Sequence, residues 1–493
     1  MLEPMSRDSV AGHLSLMGSL ASDGGTESAA RVALSRPSVQ QPGSSLGARD
    51  GACERPRAYP EGDSNLRRCP MSNGNRSPRM MAMVFLVPLV CLTSCAPAED
   101  AEADQAMADG TRWSHQDWPT GHYQVRTDWP KPLPDDDHSH DGWTWGSFGG
   151  VYAESPDRIW VAMRGELPLP EGVDPWTAYG ATNVVGNAPP TTDGLSSRCQ
   201  PTQNRRGYER RWHHSINVYD GEGNLVETWP HLDSLFALQP CGRGPHQIKM
   251  SPYDQEKHVW IIDDQLHVIY KFTYEGELVR THGELGVPGR GPNNFARPTD
   301  IAWLPDGTYF ISDGYDGKRI AKFDPDGNFL MDWGQAPEDP QNPGPSEFNN
   351  PHSIAISADR RLFVIDRGHA RMQVFDENGV FLDMWPLTSP HWLGNQGTLM
   401  ANHMVTTDGH IWVGDAPTNR ILKFDLEGNF LYSWGAPGTP AGRIACSHGI
   451  TTDQDGNLFL ADCFMGRVQK FEPIEGADPD KIVGQLPREY PTG

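Results

Sequence analysis

The chain has 493 residues and a formal net charge of −23. The first 94 residues hold 8 Asp+Glu and 10 Lys+Arg, which leaves 56 acidic and 31 basic groups beyond them, a net charge of −25. Such a surface argues against nucleic acid and anionic lipid headgroups as partners, because both would be repelled.

Residues 1–79 are rich in Ser, Gly, Pro and Arg, contain no Lys and show no sustained apolar period. They are expected to be disordered, or, over 1–70, to precede a true start at Met71. Met80 to Leu92 is an apolar run preceded by Arg76 and Arg79, followed by Thr93, Ser94 and Cys95. A basic flank, an apolar core too short to span a bilayer comfortably and a small-residue site form a secretory signal over 80–95. Leu92-Thr93-Ser94-Cys95 resembles the bacterial lipobox, in which the cysteine is lipidated; an ordinary cleaved signal or an uncleaved anchor is the alternative. The expected location is exported, held to a bacterial membrane through lipid on Cys95 and facing the periplasm or cell exterior. Residues 96–120 are a flexible acidic tether, too poor in apolar residues to fold.

Four cysteines follow: Cys199, Cys241, Cys446 and Cys463. An even number in an exported chain predicts two disulfides among three possible pairings. Cys446–Cys463 is favoured, since one stands at the start of a predicted strand and the other just past the end of its neighbour. Cys199–Cys241 is then the second pair.

Between 121 and 475 the sequence repeats. Residues 348–376 hold three short period-2 runs divided by turns: Ser353–Ser357, Leu362–Ile365 and Met372–Phe375. Aligned on the residue that His352 occupies, the copies carry His246 (G-P-H-Q-I), Thr299 (R-P-T-D-I), His352 (N-P-H-S-I), His403 (A-N-H-M-V) and His448 (C-S-H-G-I). The intervals are 53, 53, 51 and 45 residues. Each copy continues with an aliphatic run ending in Asp263, Asp313, Asp366, Asp415 or Asp462, then a run ending in Phe; the complete copies add a turn and a fourth run. Four strands at this period predict propeller blades. A degenerate copy over 146–230, with a long insert at 166–208, makes six. The expected fold is an all-β six-bladed propeller of four-stranded antiparallel blades over 121–475, with 476–493 as a tail. The last copy lacks a fourth strand, and 122–130 reads as an orphan fourth strand that closes the ring. Trp229, Trp333, Trp385 and Trp434 are expected in the core between blades.

The first strand of each blade lines the central channel. His246, His352 and His448 belong to blades 2, 4 and 6, related by about 120°, so their imidazoles are expected to converge on the axis. Three imidazoles with an open position form the ligand set of a catalytic zinc site; a polar His-lined channel is the alternative. His403, on blade 5 in the same register, is a candidate additional channel ligand. The loop after the second strand faces the same mouth and carries Arg164 on blade 1, Tyr315 on blade 3 and Arg367 on blade 4. Guanidinium groups on opposed blades suit a carboxylate, and a phenol beside a metal suits a base. The recurring Asp is expected to be structural.

These residues resemble those of NHL-type repeats, and more closely the peptidyl-α-hydroxyglycine α-amidating lyases. The segments that carry the resemblance are F-A-R-P-T-D-I-A-W…I-S-D-G-Y-D-G-K-R-I and N-P-H-S-I-A-I…V-I-D-R-G-H-A-R-M-Q-V-F, with G-P-H-Q-I and the M-R-G around Arg164, within 145–473. The resemblance implies zinc on His246, His352 and His448, Tyr315 as base on the substrate hydroxyl, and Arg164 and Arg367 around the substrate carboxylate. It implies a small peptide or α-hydroxy amide substrate, cleaved to an amide and glyoxylate. Gly449 stands where the family has an Asp tied to a structural calcium, which makes calcium doubtful here. Two other readings stay open: a non-catalytic exported propeller that binds peptide, glycan or protein, and a metal-dependent hydrolase of lactone or ester type.

Overall fold

The structure, a computed structural model, describes residues 116–489 apart from 118, 136–138, 147, 169–210, 238–243, 388–399, 417 and 464. The predicted signal, Cys95, Cys199 and Cys241 lie outside the described residues, as do most of the tether and most of the blade-1 insert.

Six four-stranded antiparallel sheets follow one another along the chain. Their second strands are nearly continuous apolar runs: Arg158–Met163, Val259–Asp263, Tyr309–Asp313, Leu362–Asp366, His410–Asp415 and Leu458–Asp462. A half-exposed sheet would alternate apolar with polar residues; continuous runs mean that both faces are covered. The structure shows this directly. Ile261 packs into the cluster shared by blades 1 and 2, while its neighbour Ile262 packs into the one shared by blades 2 and 3. Equivalent clusters join blades 3 and 4, 4 and 5, 5 and 6, and 6 and 1. The core of this fold is therefore six interblade layers. Trp229 and Trp434 are buried in two of them, and Trp333 and Trp385 pack half-buried against two others.

Ring closure uses the N-terminal segment. Tyr123–Arg126 pairs antiparallel with Arg467–Pro473, supplying the fourth strand of blade 6 beside Ser447–Thr452 and Leu458–Asp462. This covers an edge that would otherwise expose unpaired backbone groups. Gln116–Asp117 adds a parallel fifth strand to blade 5. The C-terminal residues also tie blades together. The Thr452 hydroxyl donates to Gly484 O, Thr407 N to Gln485 O, and Glu489 N to Pro252 O, at the ends of inner strands remote from the histidines. Leu486 and Pro487 help wall the axial cavity there.

In three blades the recurring Asp is a clasp. Asp313 accepts Ala296 N and the Arg319 guanidinium, and Arg319 also donates to carbonyls of Arg290, Gly291 and Asn294. Asp366 with Arg371, and Asp462 with Arg467, repeat the arrangement. Each clasp fixes the loop that leads into an inner strand. Among the described residues, one disulfide joins Cys446 to Cys463, with Cα atoms 5.5 Å apart, and reinforces this loop in blade 6. No helix among the described residues is long and apolar enough to cross a membrane.

Candidate metal centre

The position of the histidines follows from strand register. In blade 4, Pro351 pairs with Asp366 and Ser353 with Ile365, so His352 is an extra residue between two rungs. In blade 6 the extra residue is His448, in blade 1 it is Gly149, and in blade 5 it is Ala401. Such a bulge re-aims a side chain out of the ladder. Blades 2 and 3 begin pairing one residue later, which puts His246 and Thr299 at the same level. The ring thus reads Gly149, His246, Thr299, His352, Ala401, His448, with histidine on every second blade.

The three imidazoles meet. Their potential ligand atoms lie within 4.8 Å of one another, and the ring centroids are 4.7 to 5.3 Å apart. All three are buried. His246 Nδ1 lies 3.0 Å from Thr299 O, and His448 Nδ1 lies 2.7 Å from Gly149 O. Each carbonyl comes from the next blade at the same level. An Nδ1–H held by a carbonyl leaves Nε2 as a lone-pair donor, the usual outer-shell arrangement of a metal-binding histidine. His448 is held well below the ordinary histidine range by burial, then by His246, Arg164 and Arg367. It is neutral at pH 7, as a ligand must be. Three imidazole nitrogen donors fit a divalent metal such as zinc.

Tyr315 and Arg367 stand over the same point. The Tyr315 hydroxyl is 3.2 Å from His246 Nε2 and 3.1 Å from His352 Nε2, and Arg367 Nη1 donates to it at 3.3 Å. Arg164 is buried on the opposed blade, with Nε donating to Pro245 O at 3.2 Å. Both arginines are close enough to His448 to disfavour its protonation. The site therefore combines three imidazoles, one phenol and two guanidinium groups at one mouth of the channel.

His403 does not join it. It pairs with Val413, on the same rung as Ile354 with Val364 and Ile450 with Leu460. That is two residues beyond the His352 level, about 7 Å at ~3.3 Å per strand residue. The similarity of A-N-H to N-P-H misaligns blade 5 by two, because the bulge is invisible in the sequence. His403 is buried where other blades carry aliphatic residues, and its Nδ1 lies 3.0 Å from Ser353 Oγ. Ser353 in turn donates to Asp300, and Asp300 pairs with Lys249 at 2.6 Å. This chain stitches the inner strands of blades 2 to 5. Sequence reasoning also passed over Arg297, which contacts the Tyr315 ring; no repeat position marks it.

Comparison with known proteins agrees with the repeat architecture. The NHL repeat family profile matches residues 348–375. Human NHL repeat-containing protein 3 is 33% identical over 292 residues, covering 54% of this chain and 74% of that one. Peptidyl-glycine alpha-amidating monooxygenase B of Xenopus laevis is 29% identical over 241 residues, 46% of this chain and 26% of that one. Peptidyl-alpha-hydroxyglycine alpha-amidating lyase 1 of Drosophila melanogaster is 32% identical over 250 residues, 46% of this chain and 44% of that one. The alignment thus spans about a quarter of the length of the frog protein. The chain belongs to the NHL-repeat β-propellers, and it is homologous to the amidating lyases.

Proposed function

We propose that the protein is a zinc-dependent carbon–nitrogen lyase that cleaves an α-hydroxylated glycine to an amide and glyoxylate. The observation that carries this reading is the Tyr315 hydroxyl set within 3.2 Å of two of three converging imidazoles, with Arg367 bonded to it. His246, His352 and His448 would hold the metal, which when bound supplies Lewis-acid polarisation of the substrate's α-hydroxyl oxygen. Arg367 and Arg164 would hold the substrate carboxylate from opposed blades, which orients the reacting carbon. Tyr315 would accept the α-hydroxyl proton. As the C–O bond becomes a carbonyl, the C–N pair leaves with nitrogen, and that proton passes to the nitrogen to give the amide. Atoms and charge balance with no further reactant.

Homology with proteins named for amidation supports the substrate class. We also infer export with a lipid anchor on Cys95, supported by the 80–95 signal pattern and by a Cys446–Cys463 disulfide that suits an oxidising compartment. The test is metal analysis of the purified protein followed by a glyoxylate assay with a peptidyl-α-hydroxyglycine. One zinc per chain and glyoxylate release are expected. Absence of zinc, or zinc that persists when His246, His352 and His448 are each changed to Ala, defeats the reading. Zinc without glyoxylate release leaves a metal-binding propeller of another activity.

A further inference from the structure

Arg297 sits at a point where the fold has accepted a cost. Its φ is +65°, a left-handed conformation that non-glycine residues adopt only when their surroundings impose it. The backbone around it is fully used. Arg297 N donates to His267 Nδ1 at 3.1 Å, and Arg297 O accepts Tyr315 N at 3.2 Å. The side chain is buried and grips Asp264, itself buried, through Nε at 3.1 Å and Nη2 at 2.5 Å. Asp264 is further oriented by Gln265 Nε2 at 2.7 Å. The clamped guanidinium lies 4.1 Å from the centroid of the Tyr315 ring. On the edge of that ring, the hydroxyl reaches His246, His352 and Arg367.

A planar cation over an aromatic face is attractive, more so where water is excluded. Asp264 supplies what a free arginine lacks, a fixed plane. Tyr315 is thus bound twice to Arg297: its backbone N–H to the Arg297 carbonyl, and its ring to the Arg297 guanidinium. A buried ion pair alone could be a simple tie between the loops of blades 2 and 3. What such a tie does not require is the stacking of the cation on the one phenol that faces the histidines.

We propose that Arg297, locked by Asp264, is a positioning residue that holds the Tyr315 ring so that its hydroxyl stands over the three imidazoles. The kinetic consequence rests on the lyase reading; the structural one does not. Displacing a reacting group by about 1 Å costs on the order of 10²-fold in rate. Arg297→Met, which keeps length and removes the charge, is therefore expected to lower kcat about 10²-fold with KM within about threefold. Arg297→Lys, which restores a cation without the plane, is expected to recover part of that loss. Zinc content stays unchanged in both.

The second readout needs no turnover. The protein is labelled with 3-fluorotyrosine, and its fluorine spectrum is assigned at position 315 by comparison with Tyr315→Phe. The Tyr315 resonance is expected to move or broaden in Arg297→Met and to return toward the wild-type position in Arg297→Lys. A Tyr315 resonance identical to wild type in Arg297→Met, with kcat within twofold, overturns the assignment. Should Arg297→Met not fold, Asp264→Asn loosens the clamp while keeping the arginine, and an unmoved Tyr315 resonance there overturns it equally. If the wild type releases no glyoxylate, the lyase reading fails while the fluorine result still decides the role of Arg297.

Discussion

His403→Ile tests the register that separates the level of the three converging histidines from the one below it. The four strands that align with Met400–Val405 and carry isoleucine on this rung do so at Ile248, Ile301, Ile354 and Ile450, and all four are buried. An isoleucine therefore has a known fit at position 403. Burial and the nearby charge of Lys249 push the His403 imidazole from 6.5 down to about 3. Its folded form thus stays neutral where its unfolded form takes up a proton. The stability this residue contributes is present above pH 6.5 and is lost as pH falls from 6.5 toward 3. At pH 5 the unfolded state gains about 1.5 pH units of proton binding, worth about 2 kcal/mol, against a few tenths at pH 7. Isoleucine does not titrate. The difference in unfolding free energy between His403→Ile and wild type should shift by about 2 kcal/mol in favour of the variant between pH 7 and pH 5. Urea denaturation at the two pH values measures it. Zinc stoichiometry should be the same in both proteins. A pH-independent difference would show that the imidazole is not buried and neutral, and loss of zinc in the variant would return His403 to the metal set.

Three other outcomes follow from the same geometry. Arg367→Ala should raise KM for a carboxylate-bearing substrate by roughly 10-fold or more, the scale of a charge-assisted hydrogen bond, while zinc stays bound; equal loss of zinc would place Arg367 in the metal scaffold. In Gly149→Ala the new Cβ would lie 2.0 Å from Pro245 O, which forces blades 1 and 2 apart at the carbonyl that orients His448. Destabilisation of about 1–3 kcal/mol and a 10- to 100-fold loss of zinc affinity are expected by thermal melting and competitive chelation. Cys446→Ser closes no loop across its 17-residue separation, and should cost about 3 kcal/mol on a chain-entropy estimate without removing zinc; an unchanged melting temperature under oxidising conditions would refute the disulfide.

Much of the architecture was legible because a propeller is periodic. Each blade must bury both faces of its second strand, so the apolar run ending in Asp recurs, and the orphan strand at 122–130 was identifiable by what blade 6 lacked. The alternation of His246, His352 and His448 was legible for the same reason. The register of blade 5 was not. A bulge adds one residue to a strand without a compositional mark, and a nearby histidine two places further on was a better literal match than Ala401. The part played by the odd blades was not legible either. Gly149 and Thr299 present the carbonyls that hold His448 and His246 by their Nδ1 atoms, and Gly149 leaves no room for a Cβ. A six-fold ring of histidines would crowd the axis. Three histidines alternating with small residues keep the axis open, and for two of the three a carbonyl of the next blade aims the ring. That division of labour is a property of neighbouring blades, and it becomes visible only when strands some 50 residues apart in sequence stand side by side.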